Sequence, residues 1–326
     1  MNDKAHPAAP TSQLAHFHIT FFASVMGLAG LTLATHRAEL QFGWSHTASD
    51  AFLLVTLIDF VLISVLYMMK ALRFPGAVAA EWNHPVKLAF FPAISISLLL
   101  IATALRNGYP QAANAVWITG AAIQGVLTIA VISGWIGRRP FQPMHISPAW
   151  FIPAVGNVVV PIAGVGLGFV ELSWLFFSAG LIFWIILLTL VMNRLIFHDP
   201  LPGRLLPTLV ILIAPPAVAF VAWLQLNGGQ LDTLARILYY GAVTFAVIVA
   251  VQAPGFAKLP FALSWWALSF PVAALTIASF RFAELTQSSP HLWLATLCLI
   301  LLVVIVAALV GRTILGAIRR EICLPE

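Results

Sequence analysis

One acidic residue of this chain stands where an acid is chemically unusual. Asp59 lies in the apolar run TLIDFVL, at a depth where an ionised carboxylate would be costly. Such a residue either couples proton movement to transport or is held, protonated or hydrogen-bonded, between helices. We favour the second interpretation, because a coupling site would need a route from this segment to a passage through the protein.

Residue patterns typical of enzymes are missing from the sequence. It contains no HExxH, CxxC or Walker-type run. His16 and His18 are two residues apart and so lie on different faces of a helix, which favours interfacial polar residues over ligands. No two histidines have helical spacing within one apolar segment. The sequence therefore predicts no enzyme, no metal site and no cofactor such as haem or quinone.

The most informative aromatic residue is Phe270, which directly precedes Pro271 in the stretch WWALSFPVAALTIAS (265–279). A proline inside an apolar helix removes a backbone donor and bends or breaks the helix. In lipid, the freed backbone groups are tolerated only where protein or a water-filled cavity receives them. A ring at such a break is suited to closing and dewetting a narrow passage. The alternative, that Phe270 packs between two layers of helices, stays open at this stage.

Composition shows what kind of element must position these residues. Of the 326 residues, 61% are hydrophobic and only 8% are charged, whereas soluble domains are about one quarter charged. Mean hydropathy is +0.99. The chain is therefore expected to be an all-α integral membrane protein in contact with the lipid bilayer. Its net charge of +5 comes from scattered basic residues, so no nucleic-acid partner is expected.

Ten apolar segments have roughly the 20 residues that a helix needs to cross a bilayer. The segments are 14–35, 48–70, 85–105, 112–136, 148–168, 172–196, 204–226, 232–252, 260–283 and 290–316. The predicted domains are a cytoplasmic N-terminal tail (1–13), a ten-helix transmembrane domain (14–316) and a cytoplasmic C-terminal tail (317–326).

The distribution of Lys and Arg predicts the orientation of these segments. Four of these residues fall on one side: Arg37, Arg106, Arg236 and Arg281. Twelve fall on the other side: Lys4, Lys70, Arg73, Lys87, Arg138, Arg139, Arg194, Arg204, Lys258, Arg312, Arg319 and Arg320. Because the basic side is usually cytoplasmic, both termini are expected in the cytoplasm of a multi-pass protein of the plasma (inner) membrane.

Prolines recur in every second segment. Pro92, Pro153, Pro215 and Pro271 are 61, 62 and 56 residues apart, which is the length of one helix hairpin with its loops. The first segment has no proline but carries Gly27 and Gly30. This alternation predicts five hairpins, each of one broken and one straight helix. Broken helices need protein neighbours, so five kinked inner helices are expected around a central pore, with five outer helices facing lipid. Tight packing of small residues without a pore remains an alternative.

The expected passage suits anions better than cations. Cation filters use rings of carboxylates or carbonyls, but Asp59 is the only acid well inside a segment. The inner segments offer hydroxyls, the amide of Asn157 and broken helices whose free N–H groups favour negative charge. Arg281 either attracts anions or anchors its helix at the membrane interface.

Seven stretches of the chain resemble one transporter family along nearly its whole length. They are VMGLAGL (25–31), EWNHPVKLAFFPA (81–93), SPAWFIPAVGN (147–157), FFSAGLIFWIILL (176–188), LIAPPAVAF (212–220), LDTLARILYYGA (231–242) and WWALSFPVAALTIAS (265–279). The chain resembles the tellurite-resistance/dicarboxylate transporter family, which includes the slow-type anion channels of plant guard cells.

The resemblance implies a homotrimer with one central pore in each subunit, occluded by the phenylalanine that matches Phe270. It also implies inner-helix kinks at Pro92, Pro153, Pro215 and Pro271, with Asn157 at a matching asparagine. The chain departs from the pattern at Val25, where a tellurite-resistance member has a proline, and at Asp59, which has no evident counterpart.

The family transports several substrates, and a fold does not choose among them. We expect an anion channel or uniporter that passes small inorganic or carboxylate anions and is gated by Phe270. The alternative is a proton-coupled C4-dicarboxylate (malate) transporter, for which Asp59 is the candidate coupling site, or a carrier for sulfite or tellurite efflux. An intramembrane enzyme or redox subunit is a third hypothesis, which the missing ligand pairs disfavour.

Overall fold

The computed structural model describes residues 12–137, 141–256 and 258–324, and in this part of the chain there are helices and turns but no strand. The prediction of an all-helical membrane protein is confirmed. The α-helices are α1 (Phe22–Phe42), α2 (Thr47–Arg73), α3 (Pro75–Asn83), α4 (Ala93–Leu105), α5 (Pro110–Ile136), α6 (Phe151–Gly164), α7 (Val170–Phe197), α8 (Ala214–Leu226), α9 (Thr233–Phe256), α10 (Ser269–Thr286) and α11 (Ser289–Ile318).

Nine helical stretches of the described residues are long and apolar enough to cross a membrane, and Pro148–Gly164 is a shorter apolar helix. These stretches follow the ten predicted segments. The largest difference is in the first, which runs from Ile19 to Phe42 rather than from 14 to 35. Hydropathy indicates which residues contact lipid, but a helix ends where the backbone leaves the helical conformation. Here the change is the left-handed Gly43 (φ 68°), which lies beyond the polar residues of the last turns.

Two further parts of the prediction concern the tails and the loops. Residues 1–11 of the expected N-terminal tail lie outside the described residues, as do Lys4, Arg138 and Arg139 of the charge count. In the loop after α2, the structure has an additional helix, α3, which the hydropathy pattern did not predict because its nine residues are too few to cross a bilayer.

The helices form a closed ring with a second layer outside it. α1 packs against α4, α4 against α6, α6 against α8, α8 against α10, and α10 again against α1. Each of these inner helices also packs against the helix that follows it in the membrane: α2, α5, α7, α9 or α11. The apolar windows of the inner stretches longer than 18 residues are 72–83% buried, whereas those of the five outer helices are 17–33% buried. The outer helices therefore shield the ring from the surroundings.

Every inner stretch begins as a 3-10 helix and continues as an α-helix. The 3-10 parts are Ile19–Phe21, Lys87–Phe90, Pro148–Trp150, Gly203–Ile213 and Leu263–Leu268. Pro92 directly precedes α4, and Pro153, Pro215 and Pro271 fall within the first three residues of α6, α8 and α10. The first turn of an α-helix does not use its backbone N–H groups, so a proline is tolerated there.

The breaks in the inner helices are thus changes of helix type, with the prolines at the start of the α-helical part. The first inner stretch makes the same change, from Ile19–Phe21 to α1, with Val25 and no proline. A proline is therefore compatible with the transition but is not required for it. Pro161, inside α6, is the different case of a proline within an α-helix.

Two glycines of α1 allow it to approach α10 closely. A Cβ added at Gly27 would lie 2.2 Å from Ser269 Oγ, and one added at Gly30 would lie 2.7 Å from the Cβ of Ala273. Both distances are shorter than van der Waals contact. The glycines of the first segment therefore serve the close packing of two inner helices, which is a common use of small residues in membranes.

We predict that Gly27→Ala destabilises the protein, by about 1–3 kcal/mol, because the added methyl group overpacks the α1–α10 contact. Thermal unfolding of the purified protein in detergent measures this effect. Gly311→Ala is the matched control, since a Cβ at Gly311 of α11 meets no atom within 4 Å. Adding Ser269→Gly to the Gly27→Ala variant should recover stability. Equal melting temperatures for the two alanine variants would contradict the assigned contact.

Candidate functional site

Two cavities lie along the axis of the ring, and Phe270 lines both. The larger has a volume of about 340 Å³, and we call it the arginine cavity after three of its side chains. All five inner stretches contribute to its wall, for example through Gly30, Thr103, Ile162, Val221 and Ala274. It opens toward the ends of the helices that the charge bias predicts to be outside the cell.

The second cavity, which we call the apolar cavity, lies on the other side of Phe270. Its volume is only about 30 Å³, which is enough for roughly one or two water molecules. Its wall also comes from all five inner stretches, for example through Met26, Ile96, Val155, Ala214 and Pro271. Such a small space without polar side chains is unfavourable for water and more so for an ion.

The Phe270 side chain is held between these cavities by its position in α10. It is the second residue of that helix, immediately after the 3-10 part, and its relative exposure is 8%. A Cβ at Gly30 would lie 3.6 Å from Phe270 Cδ2, an ordinary contact distance, so the ring lies beside α1 at this glycine. The ring faces the space that the inner helices enclose.

Three arginines from three different inner helices line the arginine cavity: Arg37, Arg106 and Arg281. Arg37 Nη2 lies 3.2 Å and Arg281 Nη1 lies 2.7 Å from the same oxygen, Glu284 Oε2. Arg106 Nη1 donates a hydrogen bond of 3.2 Å to the carbonyl of Ile162. Among the described ion pairs at this cavity, two of the three arginines thus share one carboxylate, and the third bonds only a neutral carbonyl. The cavity has an excess of positive charge that favours anions.

The sequence pointed to Arg281 alone, and the other two arginines were missed. Arg37 and Arg106 were counted as loop residues, but Arg37 lies in the last turns of α1 and Arg106 directly follows α4. Nothing in their spacing indicates a shared cavity. The only sequence signal that could have indicated a shared site is that all three arginines fall on the same predicted side of the membrane.

The other predicted site residues have different surroundings. Pro271 lines the apolar cavity, whereas Pro92, Pro153, Pro215 and Asn157 line neither cavity. The amide of Asn157, expected among the polar groups of the passage, is 2% exposed and donates to the carbonyl of Pro153 (2.8 Å) and to Thr128 Oγ1 of α5 (3.0 Å). It is occupied in holding two helices together.

Asn157 belongs to a buried polar network next to the helix-type transitions. Gln124 of α5 donates to the carbonyl of Pro153 (3.0 Å) and accepts from Ser95 (2.7 Å), which itself donates to the carbonyl of Pro92 (2.9 Å). The network therefore binds backbone oxygens at two successive breaks. A single outer-helix glutamine supplies partners that lipid cannot offer.

Asp59 of α2 lies beside the junction where the first inner stretch changes helix type. Its Oδ2 accepts a 2.7 Å hydrogen bond from Ser24 Oγ of α1, and Ser24 also donates to the carbonyl of Phe21 (2.8 Å). Asp59 lines neither cavity. This is the geometry of an aspartate hydrogen-bonded between an outer and an inner helix.

A buried ion pair at the opposite end of the bundle was not expected from the sequence. Lys70 is 1% exposed, and its Nζ lies 2.9 Å from Glu81 Oε2 and donates to the carbonyl of Phe17 (2.7 Å). Glu81 also accepts from Tyr67 (2.9 Å) and from the backbone N–H of Ile19 (3.3 Å). The pair thus binds the backbone on both sides of the start of the first inner stretch.

A ring of broken helices with axial cavities and excess positive charge at one end defines a membrane channel or transporter of the helical type. The chain belongs to the voltage-dependent anion channel family SLAC1, whose family profile matches residues 16–314. The sequence-based resemblance to this group is confirmed.

Individual relatives agree with this assignment. The chain is 26% identical over 325 residues to the S-type anion channel SLAH3 of Arabidopsis thaliana, covering 98% of this chain and 51% of the relative. It is 29% identical over 265 residues to the tellurite resistance protein TehA homolog of Haemophilus influenzae, covering 80% of each. The guard cell S-type anion channel SLAC1 of Arabidopsis thaliana is 24% identical over 315 residues, 93% of this chain and 56% of the relative. The chain therefore spans about half the length of these plant relatives.

Proposed function

We propose that this protein conducts anions passively, as a channel or uniporter, along the axis of the five inner helices, and that Phe270 is the gate. The observation that carries the proposal is the position of this one ring between two axial cavities. The apolar cavity is too small and too dry for an ion, so the arrangement corresponds to a closed pathway. Conduction requires the ring to move or the inner helices to separate around it.

We also propose that the ten apolar stretches cross the plasma membrane as five hairpins with both tails (1–13 and 317–326) in the cytoplasm. The closed ring of inner helices, the difference in burial between the two layers and the bias of twelve against four basic residues support this topology. The homotrimer is proposed from the family resemblance alone.

The three arginines are proposed to concentrate anions at the outer end of the pathway. Arg37 and Arg281 share Glu284, which is 46% exposed, so their charge is only partly compensated there. Because this carboxylate is shared and partly solvated, an arriving anion can compete with it for the guanidinium groups. The anion is then bound only weakly. Weak binding of this kind is compatible with rapid passage.

Phe270→Ala should raise anion conductance by at least about tenfold, since a steric barrier of only about 1.4 kcal/mol already corresponds to that factor. The measurement is ion-substitution electrophysiology in oocytes or planar bilayers, which also ranks chloride, nitrate, sulfite and malate as permeant anions.

The matched control for this experiment is Phe280→Ala. Phe280 lies on the same helix and is 1% exposed, but it packs against Phe42 and lines neither cavity. With protein amounts in the membrane equalised, Phe280→Ala should leave conductance close to that of the wild type. A Phe270→Ala variant that conducts no better than the wild type would refute the gate.

Arg281→Gln, which removes one charge from the arginine cavity, should reduce anion conductance by roughly twofold to tenfold at low ionic strength. The loss should shrink as salt screens the remaining charges. Arg236→Gln is the control, because Arg236 is on the same predicted side but lies over the Phe282 ring and outside the cavity. Equal effects of the two variants would argue against the cavity as the anion vestibule.

Proton-coupled transport of a C4-dicarboxylate is the second candidate, and two observations favour it. The arginine cavity is large enough for an organic anion, and guanidinium groups bind carboxylates with good geometry. The bond between Asp59 and Ser24 connects a titratable group to an inner helix. A carrier for sulfite or tellurite efflux would use the same positive charge, and the same ranking extended to tellurite distinguishes it from these two.

Asp59→Asn distinguishes coupled from passive transport. For the passive channel we expect an unchanged dependence of flux on pH, because the amide still accepts the hydrogen bond from Ser24. Malate and chloride flux into liposomes, measured with and without a proton gradient, provides the test. A pH-dependent malate flux that the variant abolishes would favour the proton-coupled carrier.

A further inference from the structure

Beyond the transport pathway, three side chains at the outer end of the first hairpin form a compact group: His36, Glu39 and His46. His36 and Glu39 are three residues apart and therefore share one face of α1. Gly43, in the left-handed conformation, ends α1 and turns the chain back, so that His46 at the start of α2 meets the same face. This group takes no part in the gate or in the hydrogen bonds of the pathway described above.

The distances in this group match those between the ligands of one metal ion. His46 Nδ1 lies 3.3 Å and His36 Nδ1 lies 3.8 Å from the same oxygen, Glu39 Oε2. One ligand atom from each residue can be chosen so that all three lie within 4.8 Å of one another. Ligands bound tetrahedrally to zinc at its usual bond lengths are about 3.3–3.5 Å apart. The 3.3 Å distance from Glu39 Oε2 lies in this range, and the 3.8 Å distance is only slightly longer.

The carboxylate is fixed from behind by Ser49 of α2. The Ser49 N–H donates to Glu39 Oε1 (2.9 Å), and the Ser49 hydroxyl donates to Glu39 Oε2 (2.5 Å). The side chain of Glu39 is only 2% exposed, whereas those of His36 and His46 are 30% and 47% exposed. A buried, oriented carboxylate with two accessible imidazoles is an arrangement that an ion from solution can enter, and held ligands of this kind strengthen metal binding.

We propose that His36, Glu39 and His46 form a binding site for a divalent transition-metal ion of the Zn²⁺ type, with a fourth position open to water. Two imidazoles and one carboxylate are a donor set that zinc uses in proteins. Calcium and magnesium prefer oxygen ligands alone and are not expected to bind. The site joins the end of α1 to the start of α2, and His36 also lines the arginine cavity, so a bound ion would add positive charge at its rim.

The test is direct metal binding by the full chain, purified with a histidine-free affinity tag, treated with chelator and reconstituted in lipid nanodiscs. Titration with Zn²⁺ should give one saturable site per chain, and Co²⁺ in its place should give the visible absorption of a tetrahedral complex. Since metal binding is the readout, the result is independent of whether the protein is a channel or a carrier.

His36→Gln and His46→Gln should each weaken zinc binding by at least about tenfold, because loss of a ligand costs no less than loss of a supporting partner. Neither histidine caps a helix through its side chain, so the fold should persist. Zinc should raise the melting temperature of the wild type but of neither variant, because ions that bind only the native state stabilise it.

His291→Gln is the matched control, since His291 lies on the same predicted side but contacts Tyr240 and Ser288 instead. It should bind zinc as the wild type does. Absence of a saturable site in the wild type, or equal zinc affinity of the wild type and the double variant His36→Gln/His46→Gln, would overturn the proposal. Binding of Ca²⁺ or Mg²⁺ at the same affinity as Zn²⁺ would also overturn it.

Discussion

The demand that every backbone polar group in a membrane find a partner inside the protein explains most of this architecture. A change from 3-10 to α-helix leaves carbonyl and N–H groups without their regular partners, and hydrocarbon offers none. All five changes occur in the inner stretches, and five uninterrupted helices surround them. The network that joins Gln124 through Ser95 to the carbonyl of Pro92, and directly to that of Pro153, shows how an outer helix adds hydrogen bonds at the breaks. The breaks and the two layers are therefore one structural solution.

The same constraint leads to the proposed pathway. Broken helices cannot pack as regularly as continuous ones, so the ring they form contains cavities along its axis. The two cavities differ in character, because arginines at the helix ends remain close to water while the middle of the ring is apolar. The cavity that attracts an anion and the cavity that excludes it are thus neighbours, with Phe270 between them. In the proposed pathway, an anion meets the charged cavity first and the Phe270 gate afterwards.

Much of the fold could be predicted from the sequence, because it depends on features that follow from the order of residues along the chain. These features are the lengths of the apolar runs, the spacing of the prolines and the side on which the basic residues fall. The type of break could not be predicted, since a proline is compatible with both a kink and the start of an α-helix. In addition, the first inner stretch changes helix type without any proline, having Val25 instead. Convergence of Arg37, Arg106 and Arg281 could not be predicted either, because it depends on how three helix ends are arranged around the axis. Lys70 was only counted in the charge bias, since its partner Glu81 lies on a helix too short for a hydropathy signal to reveal. His36 and His46 come together only through the turn at Gly43.

The contact between α1 and α10 has a consequence for how the protein is made. The glycine face of α1, with Gly27 and Gly30, is shaped to receive Ser269 and Ala273, yet these residues come about 240 positions later in the chain and are synthesised long after α1. The start of the first hairpin needs no later helix, since Lys70 pairs with Glu81 and donates to the carbonyl of Phe17. During translation, the groove of α1 therefore stays uncovered until α10, the penultimate helix, is made and closes the ring. Ring closure therefore depends on α10, and a chain interrupted before α10 would leave both the groove and the axis open to lipid.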